Sequence, residues 1–184
     1  GYPRTVKYWA RHQALSDAKE ILSADVSDVS IKAGRILSEK ESLVVISISK
    51  SFFESEHYLF DQAPQQAHVL QLPRKVDDIE LFDGRLIFEL REDWTVAGKT
   101  YETGSVVAVK GGDVELVFQP NAKQALHEIA VSSDALYLSI LDNVQGRLLK
   151  FVRTADRGWA MKRIAFPDFG RVNVMASSPF EKNI

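Results

Sequence analysis

The sequence contains no cysteine among its 184 residues, so it forms no disulfide bond and offers no thiolate to a metal. Histidine is also scarce, and the nearest pair, His57 and His68, lies on opposite sides of a predicted strand connection instead of at the close spacing typical of zinc ligands. Gly111-Gly112 precedes a strand and not a helix, so no phosphate-binding loop is indicated. We therefore predict no metal site and no cofactor.

The sequence has no large excess of charge of either sign and no long hydrophobic run. Its net charge of −2 gives no broad electrostatic basis for binding nucleic acid or an anionic membrane surface. No apolar stretch approaches the roughly 18 residues that a membrane-spanning helix requires. We predict neither a nucleic-acid nor a membrane partner. The compartment stays open, with the cytoplasm favoured and the periplasm as the alternative.

The Gly-x-Ser-x-Gly motif of α/β-hydrolases is absent, as is the strand–helix alternation on which that motif sits. Acidic residues at Asp77-Asp78, Glu89, Glu92-Asp93 and Asp142 are compatible with the paired carboxylates of a glycosidase only if two of them converge at one end of a tunnel. Because Asp at strand ends and turns usually accepts hydrogen bonds from the backbone, we assign no catalytic, cofactor-binding or metal-binding residue.

The sequence is rich in β-hairpin patterns that recur along the chain. In Ile79–Leu90, two alternating apolar segments meet at Asp83-Gly84, a dipeptide suited to a two-residue turn with positive φ angles. Gly111-Gly112 lies between two further alternating segments, and Ser132-Ser133-Asp134 interrupts Ile129–Leu141 in the same way. These patterns indicate a repeat of antiparallel strands.

The period of this repeat is set by three prolines that end apolar strands. Pro73, Pro120 and Pro167 follow one another at intervals of 47 residues, within the range of about 40 to 50 residues typical of propeller blades. Proline suits the outermost strand because it cannot donate a hydrogen bond to a further strand. We predict an all-β fold, a partial β-propeller of about three complete four-stranded antiparallel blades with half-blades at both ends.

The predicted units form a single partial propeller domain over residues 1–184. They are a half-blade at 1–25, blades at 26–73, 74–120 and 121–167, and the start of a further blade at 168–184, with an opening strand near Val172–Met175. A chain that begins Gly-Tyr-Pro without methionine and inside a blade indicates a piece of a longer protein. Open ends would expose two blade faces, so we expect self-association; closure into a four-bladed ring is the alternative.

Two connections between inner and outer strands carry aromatic residues among charges. Arg91, Asp93 and Trp94 lie in one, and Phe52-Phe53 occupies the corresponding position in the preceding unit. Loops carry function and aromatic residues anchor interfaces, so these residues are candidate contacts at the propeller rim or with another domain. The alternative, which we favour for Trp94, is an aromatic ring folded over the edge of its own blade.

One set of residues near the beginning of the chain follows a known family pattern: Pro3, Arg4, Val6, Lys7, Trp9, Arg11, Leu15, Ser16 and Ala18. With these residues, the beginning of the chain resembles the N-terminal propeller domain of serine peptidases of the prolyl oligopeptidase family. Leu90–Val109 is similar to an inner-to-outer connection in a later blade of the same proteins.

The resemblance implies that the chain is a middle portion of a seven-bladed propeller whose parent protein also has an α/β-hydrolase domain with a Ser-Asp-His triad. It further implies that the propeller covers the active site and admits short peptides, commonly cleaved after proline. Because the triad-bearing domain lies outside this sequence, we expect the chain alone to be inactive. The alternative is a stand-alone propeller that acts as a protein-interaction scaffold, which the parent reading frame would distinguish.

Overall fold

The computed structural model describes residues 4–167, 170–182 and 184. Pro3, one of the residues that carry the family resemblance, lies outside them. The chain divides into two compact units, Gly1–Ile36 with Ser42–Lys75 and Leu37–Glu41 with Val76–Ile184. A single domain over residues 1–184 stays a prediction. The described residues contain no helix long and apolar enough to cross a membrane.

The first unit consists of a two-stranded and a four-stranded antiparallel sheet. Its core contains Ile31, Ile46 and Ile48, against which Val6 and Leu22 of the two-stranded sheet pack. This arrangement matches the predicted half-blade followed by a blade. The strands are β1 (Thr5–Tyr8) and β2 (Lys19–Ser23) in the smaller sheet, then β3 (Ser30–Leu37), β4 (Ser42–Ser49), β5 (Ser55–Asp61) and β6 (Gln66–Val69) in that order in the larger one.

The second unit contains two four-stranded sheets and one additional hairpin. The first sheet has the order β12-β11-β8-β7, and the second the order β13-β14-β15-β16. Its strands are β7 (Val76–Phe82), β8 (Arg85–Leu90), β9 (Trp94–Val96), β10 (Lys99–Tyr101), β11 (Val106–Lys110), β12 (Asp113–Phe118), β13 (Gln124–Val131), β14 (Leu136–Asp142), β15 (Gln145–Arg153) and β16 (Trp159–Ile164). The prediction of an all-β fold built from four-stranded antiparallel sheets is confirmed.

The predicted turns join the strands that the sequence pattern indicated. Asp83 and Gly84 have φ angles of 49° and 68°, and Gly111 and Gly112 have φ angles of 58° and 92°. Positive φ at both central residues defines the turn type whose twist matches that of the flanking strands. The connection between β8 and β11, interpreted from sequence as a loop, instead contains the hairpin β9–β10.

The two large sheets of the second unit pack face to face. Ile87 and Val106 of one sheet share a buried cluster with Leu136 and Leu138 of the other, and all four are fully buried. At the edge of this interface Glu115 of β12 accepts hydrogen bonds from Arg153 and from the Trp159 indole, the latter at 3.0 Å. An apolar interior with a charge-assisted contact at its edge holds the two sheets together.

The prolines that set the repeat lie just beyond the outermost strands and not at their last residues. β6 ends at Val69, β12 at Phe118 and β16 at Ile164, before Pro73, Pro120 and Pro167. A proline cannot donate to a ladder, so the chain leaves the sheet before reaching it. The prolines that recur every 47 residues therefore follow the sheets and are not part of them.

The predicted opening strand near Val172–Met175 is wrong for the part of the chain that is described, because residues 171–178 carry no strand there. The segment instead crosses the last sheet, where Val172 and Val174 pack on Tyr137 and Leu148. It is held by side chains: the Ser139 hydroxyl donates to the Val172 carbonyl at 2.5 Å, and Glu128 accepts from the Val174 amide at 3.0 Å. Contacts of this kind hold an extended segment without a β-ladder.

Candidate functional site

The insertion between β8 and β11 positions three of the five candidate rim residues. Its hairpin β9–β10 turns at Ala97-Gly98, where both residues have positive φ angles of 49° and 77°. Alternation in Trp-Thr-Val and Lys-Thr-Tyr around this dipeptide is the sequence signal that predicts such a hairpin. The insertion is thus a structured element that holds its side chains in fixed positions.

Arg91, at the start of the insertion, joins two carboxylates on neighbouring strands. Its Nε lies 3.3 Å from Asp77 Oδ2 and its Nη1 lies 3.2 Å from Glu89 Oε1. Asp77 and Glu89 are directly opposite each other in the β7–β8 pair. Burial raises the pKa of the Glu89 carboxyl, and the Arg91 guanidinium opposes that rise. Because the Arg91 guanidinium forms ion pairs with both carboxylates, Asp77 and Glu89 do not form the free acid and base of a glycosidase.

Asp93 forms hydrogen bonds that link the two ends of the insertion. Its Oδ1 accepts hydrogen bonds from the Thr103 amide at 2.8 Å and from the Thr103 hydroxyl at 2.9 Å. The hydrogen bond from the Thr103 amide, followed by the one from the Thr103 hydroxyl, lowers the pKa of Asp93. Both bonds are made within the insertion, so this carboxylate has a structural role there.

Trp94 packs on its own sheet. Its ring centroid lies 6.2 Å from that of Phe88 and 6.2 Å from that of Tyr101, and the side chain is half-buried. The Tyr101 hydroxyl in turn donates to the Val114 carbonyl at 2.8 Å. These contacts agree with the favoured interpretation of a ring folded over its own blade edge.

Phe52 and Phe53 lie in the connection between β4 and β5 and project into solvent. Their exposed fractions are 91% and 83%. No aromatic contact between described rings includes either of them. The two connections that looked alike in sequence therefore present different surfaces.

A polar cleft of about 480 Å³ lies beside Arg91 in the second unit. Its lining includes Glu89, Glu102 and Gln119, and the Gln119 amide bridges Ser105, at 2.8 Å, and Glu102, at 3.2 Å. No local sequence pattern marks Glu102 and Gln119, because only the fold brings the two ends of the insertion together. Within the described residues, no group of three or more potential ligands is arranged to hold a metal.

The fold brings one serine and one histidine together, in the first unit. The Ser47 hydroxyl lies 2.9 Å from His57 Nδ1, and both residues are buried. His57 Nε2 has no hydrogen-bond partner within the described residues, and burial, followed by the charge of Lys32, lowers the pKa of His57. A nucleophile needs access to substrate, which a buried pair on adjacent central strands lacks.

Comparison with known proteins identifies relatives among peptidases. No protein-family model matches the chain. It is 23% identical to an uncharacterized peptidase of Rickettsia prowazekii over 82% of this chain and 23% of that protein. It is 27% identical to an uncharacterized peptidase of Sinorhizobium fredii over 96% of this chain and 26% of that protein. The chain thus spans about a quarter of the length of these relatives.

Solved structures similar to this chain show its fold. The fold matches a post-proline cleaving enzyme from Rickettsia typhi with a TM-score of 0.85 and 22% identity, over 97% of this chain and 28% of that enzyme. It matches oligopeptidase B from Trypanosoma brucei with a TM-score of 0.65 and 19% identity, over 89% of this chain and 24% of that protein. The relatives of this chain are peptidases of the prolyl oligopeptidase family. The resemblance stated from sequence is confirmed, and the fold is a partial β-propeller.

Proposed function

We propose that this chain is a non-catalytic part of the propeller of a prolyl oligopeptidase-like serine peptidase. In this proposal the propeller covers the active site of the parent protein and restricts access to short, proline-containing peptides. The observation that carries it is the match, with a TM-score of 0.85 over 97% of the chain, to 28% of a post-proline cleaving enzyme. Nearly the whole of this chain matches the enzyme, whereas the match covers only about a quarter of the enzyme. The chain is therefore best explained as one portion of such an enzyme.

The contacts inside the second unit support a steric role. A gate that excludes folded proteins must resist separation of its blades, and the two large sheets share an apolar core around Ile87, Val106 and Leu138. Each such side chain contributes about 1.5–3 kcal/mol on burial, so lateral separation of these sheets is costly. Glu115 adds a charge-assisted contact to Arg153 across the same interface.

The candidate rim residues take different parts in this proposal. Arg91, Asp93 and Trp94 shape the edge of the second unit's first sheet, because their polar atoms and ring already contact that sheet or the insertion. Phe52 and Phe53 are the pair available to another part of the protein. The parent's catalytic domain is the partner that the proposal requires.

The test uses the complete parent protein and a series of fluorogenic peptides, each with one proline-containing cleavage site, from a few residues to several tens of residues long. We expect kcat/KM to fall steeply with peptide length. The Glu115→Ala variant, which removes the contact to Arg153 and Trp159, should increase kcat/KM for the long peptides and leave the shortest unchanged. Leu116→Ala, on the same strand and partly exposed, is the matched control.

Two results would contradict the proposal. Equal cleavage of short and long peptides by the unsubstituted protein would exclude a steric gate. A complete parent protein that cleaves no proline-containing peptide would favour the alternative, a propeller that serves as an interaction scaffold.

A further inference from the structure

The connection between β4 and β5 presents two adjacent phenylalanines that the chain leaves uncovered. Phe52 and Phe53 are 91% and 83% exposed. A buried phenylalanine contributes about 1.5–3 kcal/mol relative to an exposed one, so this surface forgoes a large stabilisation. Single exposed apolar residues are ordinary, but two neighbouring aromatic rings at one loop tip are a feature to be explained.

The backbone of this connection is fixed by its own hydrogen bonds. The Lys50 amide donates to the Glu54 carbonyl at 2.8 Å and the Ser51 amide to the same carbonyl at 3.2 Å. The Phe53 amide donates to the Ser51 hydroxyl at 3.2 Å. The rings are therefore displayed on a closed turn, and a partner that covers them need not order the loop.

Ion pairs support the base of this turn. Lys50 Nζ lies 3.1 Å from Asp28 Oδ1 and 3.5 Å from Glu56 Oε2, and Arg74 pairs with the same Glu56 at 2.5 Å. Lys75 lies 3.6 Å from Glu54. Acidic and basic groups are equal in number here, so the surroundings of the rings carry no net charge. The surface suits an apolar protein pocket better than an anionic lipid surface, which attracts clusters of basic residues.

We propose that Phe52 and Phe53 form an anchor that inserts into an apolar pocket on the part of the parent peptidase that lies outside this sequence. The inference rests on the proposed function, since it assigns the contact partner of the same propeller. It also separates the five candidate rim residues: Phe52 and Phe53 dock between domains, whereas Arg91, Asp93 and Trp94 stabilise their own blade.

The size of the anchor favours a partner in the same polypeptide over a second copy. Two phenylalanines bury about 300–500 Å² at most, whereas a stable complex of separate chains buries about 800 Å² on each partner. A linked partner needs less area, because a tether holds it at an effective concentration in the millimolar range. The relatives are about four times as long as this chain, so most of such a protein is available to supply the pocket.

The experiment measures the accessibility of position 52 in the complete parent protein. Phe52→Cys and Leu15→Cys are prepared separately, and their reaction with a thiol reagent is followed, with the unsubstituted protein giving the background of any other cysteines. Leu15 is 75% exposed, less than Phe52, so the exposures in this chain alone predict that the cysteine at 52 reacts at least as fast. Docking predicts the reverse, with reaction at 52 slower by a factor of ten or more. Thermal unfolding by circular dichroism verifies that both variants fold.

Every outcome of this experiment decides the proposal. Slow labelling at position 52 that is independent of protein concentration supports an intramolecular pocket. Labelling as fast as at position 15 overturns it. Protection that disappears on dilution identifies a second copy, and protection that appears only with phosphatidylcholine vesicles identifies a membrane; both overturn the proposed partner. Because the measurement does not depend on catalysis, a protected position 52 in a protein without peptidase activity would refute the proposed function and leave the docking intact.

Discussion

Consecutive sheets use the same connection, between the second and third strands, in opposite ways. In the second unit the insertion between β8 and β11 folds into a hairpin that packs Trp94 against Phe88 and Tyr101. In the first unit the connection between β4 and β5 is too short to form such a hairpin, and Phe52 and Phe53 stay exposed. An aromatic residue in such a connection is therefore covered or exposed according to whether the connection is long enough to fold back onto its sheet.

In the last sheet, the connection between the second and third strands differs from both of these. β14 and β15 are joined by only Asn143 and Val144, with φ angles of 50° and 65°. Val144 is 86% exposed, and a β-branched residue in this left-handed region is a genuine outlier. The shortest connection carries backbone strain where the other two carry aromatic residues.

The largest effect expected from this comparison is on stability when Trp94 is truncated. Trp94→Ala should lower the free energy of unfolding by about 2–3 kcal/mol, somewhat less than for a fully buried tryptophan, because the ring is half-buried. Phe52→Ala should change it by less than about 0.5 kcal/mol in this chain, where the ring contacts solvent. Urea denaturation followed by circular dichroism measures both. Equal losses would show that the two connections do not differ as described.

A smaller effect is expected when Arg91 is replaced. Arg91→Met leaves the buried Glu89 carboxylate without its cation, so the free energy of unfolding at neutral pH should fall by about 1–2 kcal/mol, discounted because Arg91 is half exposed. Burial already raises the pKa of Glu89, and removing the cation raises it further. The folded variant then holds the proton more tightly than the folded unsubstituted protein, so the loss is absent in acid and grows as pH rises through the folded pKa of Glu89, which burial places above the unfolded value of about 4.3.

The matched control for Arg91→Met is the double variant that also carries Glu89→Gln. A neutral amide removes the buried charge, so the double variant should regain most of the stability and lose the pH dependence. Denaturation curves at several pH values between acid and neutral give both quantities. A loss that is constant across this range would assign the role of Arg91 to packing instead of charge.

A smaller change of opposite sign is expected at the third connection. Val144→Gly should raise the free energy of unfolding by about 1 kcal/mol, because glycine adopts a positive φ angle without the steric cost that valine pays. The same substitution at the exposed Val26, which is not among the residues with positive φ, should not stabilise the protein. Thermal unfolding measures the difference. Destabilisation by Val144→Gly would show that this turn is unstrained.

The sequence predicted the sheets well because the turn residues and the apolar alternation agree with each other. Asp83-Gly84 and Gly111-Gly112 supplied the positive φ angles, and the strands on either side followed. The strand predicted from sequence near Val172–Met175 is wrong, because residues 171–178 form no β-ladder. Their apolar alternation instead packs Val172 and Val174 on a sheet. Alternation reports which side chains are buried and not which backbone groups are paired.

The candidate site was harder to predict than the fold for a related reason. Sequence placed Arg91, Asp93 and Trp94 in a single exposed connection, but their partners are Asp77, Thr103 and Phe88, which only strand pairing and the insertion hairpin bring near. Nothing in the local sequence distinguishes an aromatic residue with such a partner from Phe52, which has none among the described ring contacts.

The smallest expected effect tests whether the Asp93 carboxylate links the two ends of the insertion through its hydrogen bonds with Thr103. Hydrogen bonds from Thr103 lower the pKa of Asp93, so its contribution to stability is present above the unfolded pKa of about 3.9 and is lost as pH falls through the lower folded value. The Thr103 amide, which donates to Asp93 Oδ1, should therefore show a chemical-shift change only in strong acid. In Asp93→Asn, which cannot titrate, that change should vanish while other carboxylates titrate as before. A Thr103 amide that shifts at the pH of an ordinary aspartate would mean that the carboxylate is free, and the covered connection would then differ from the exposed one only in the packing of its tryptophan.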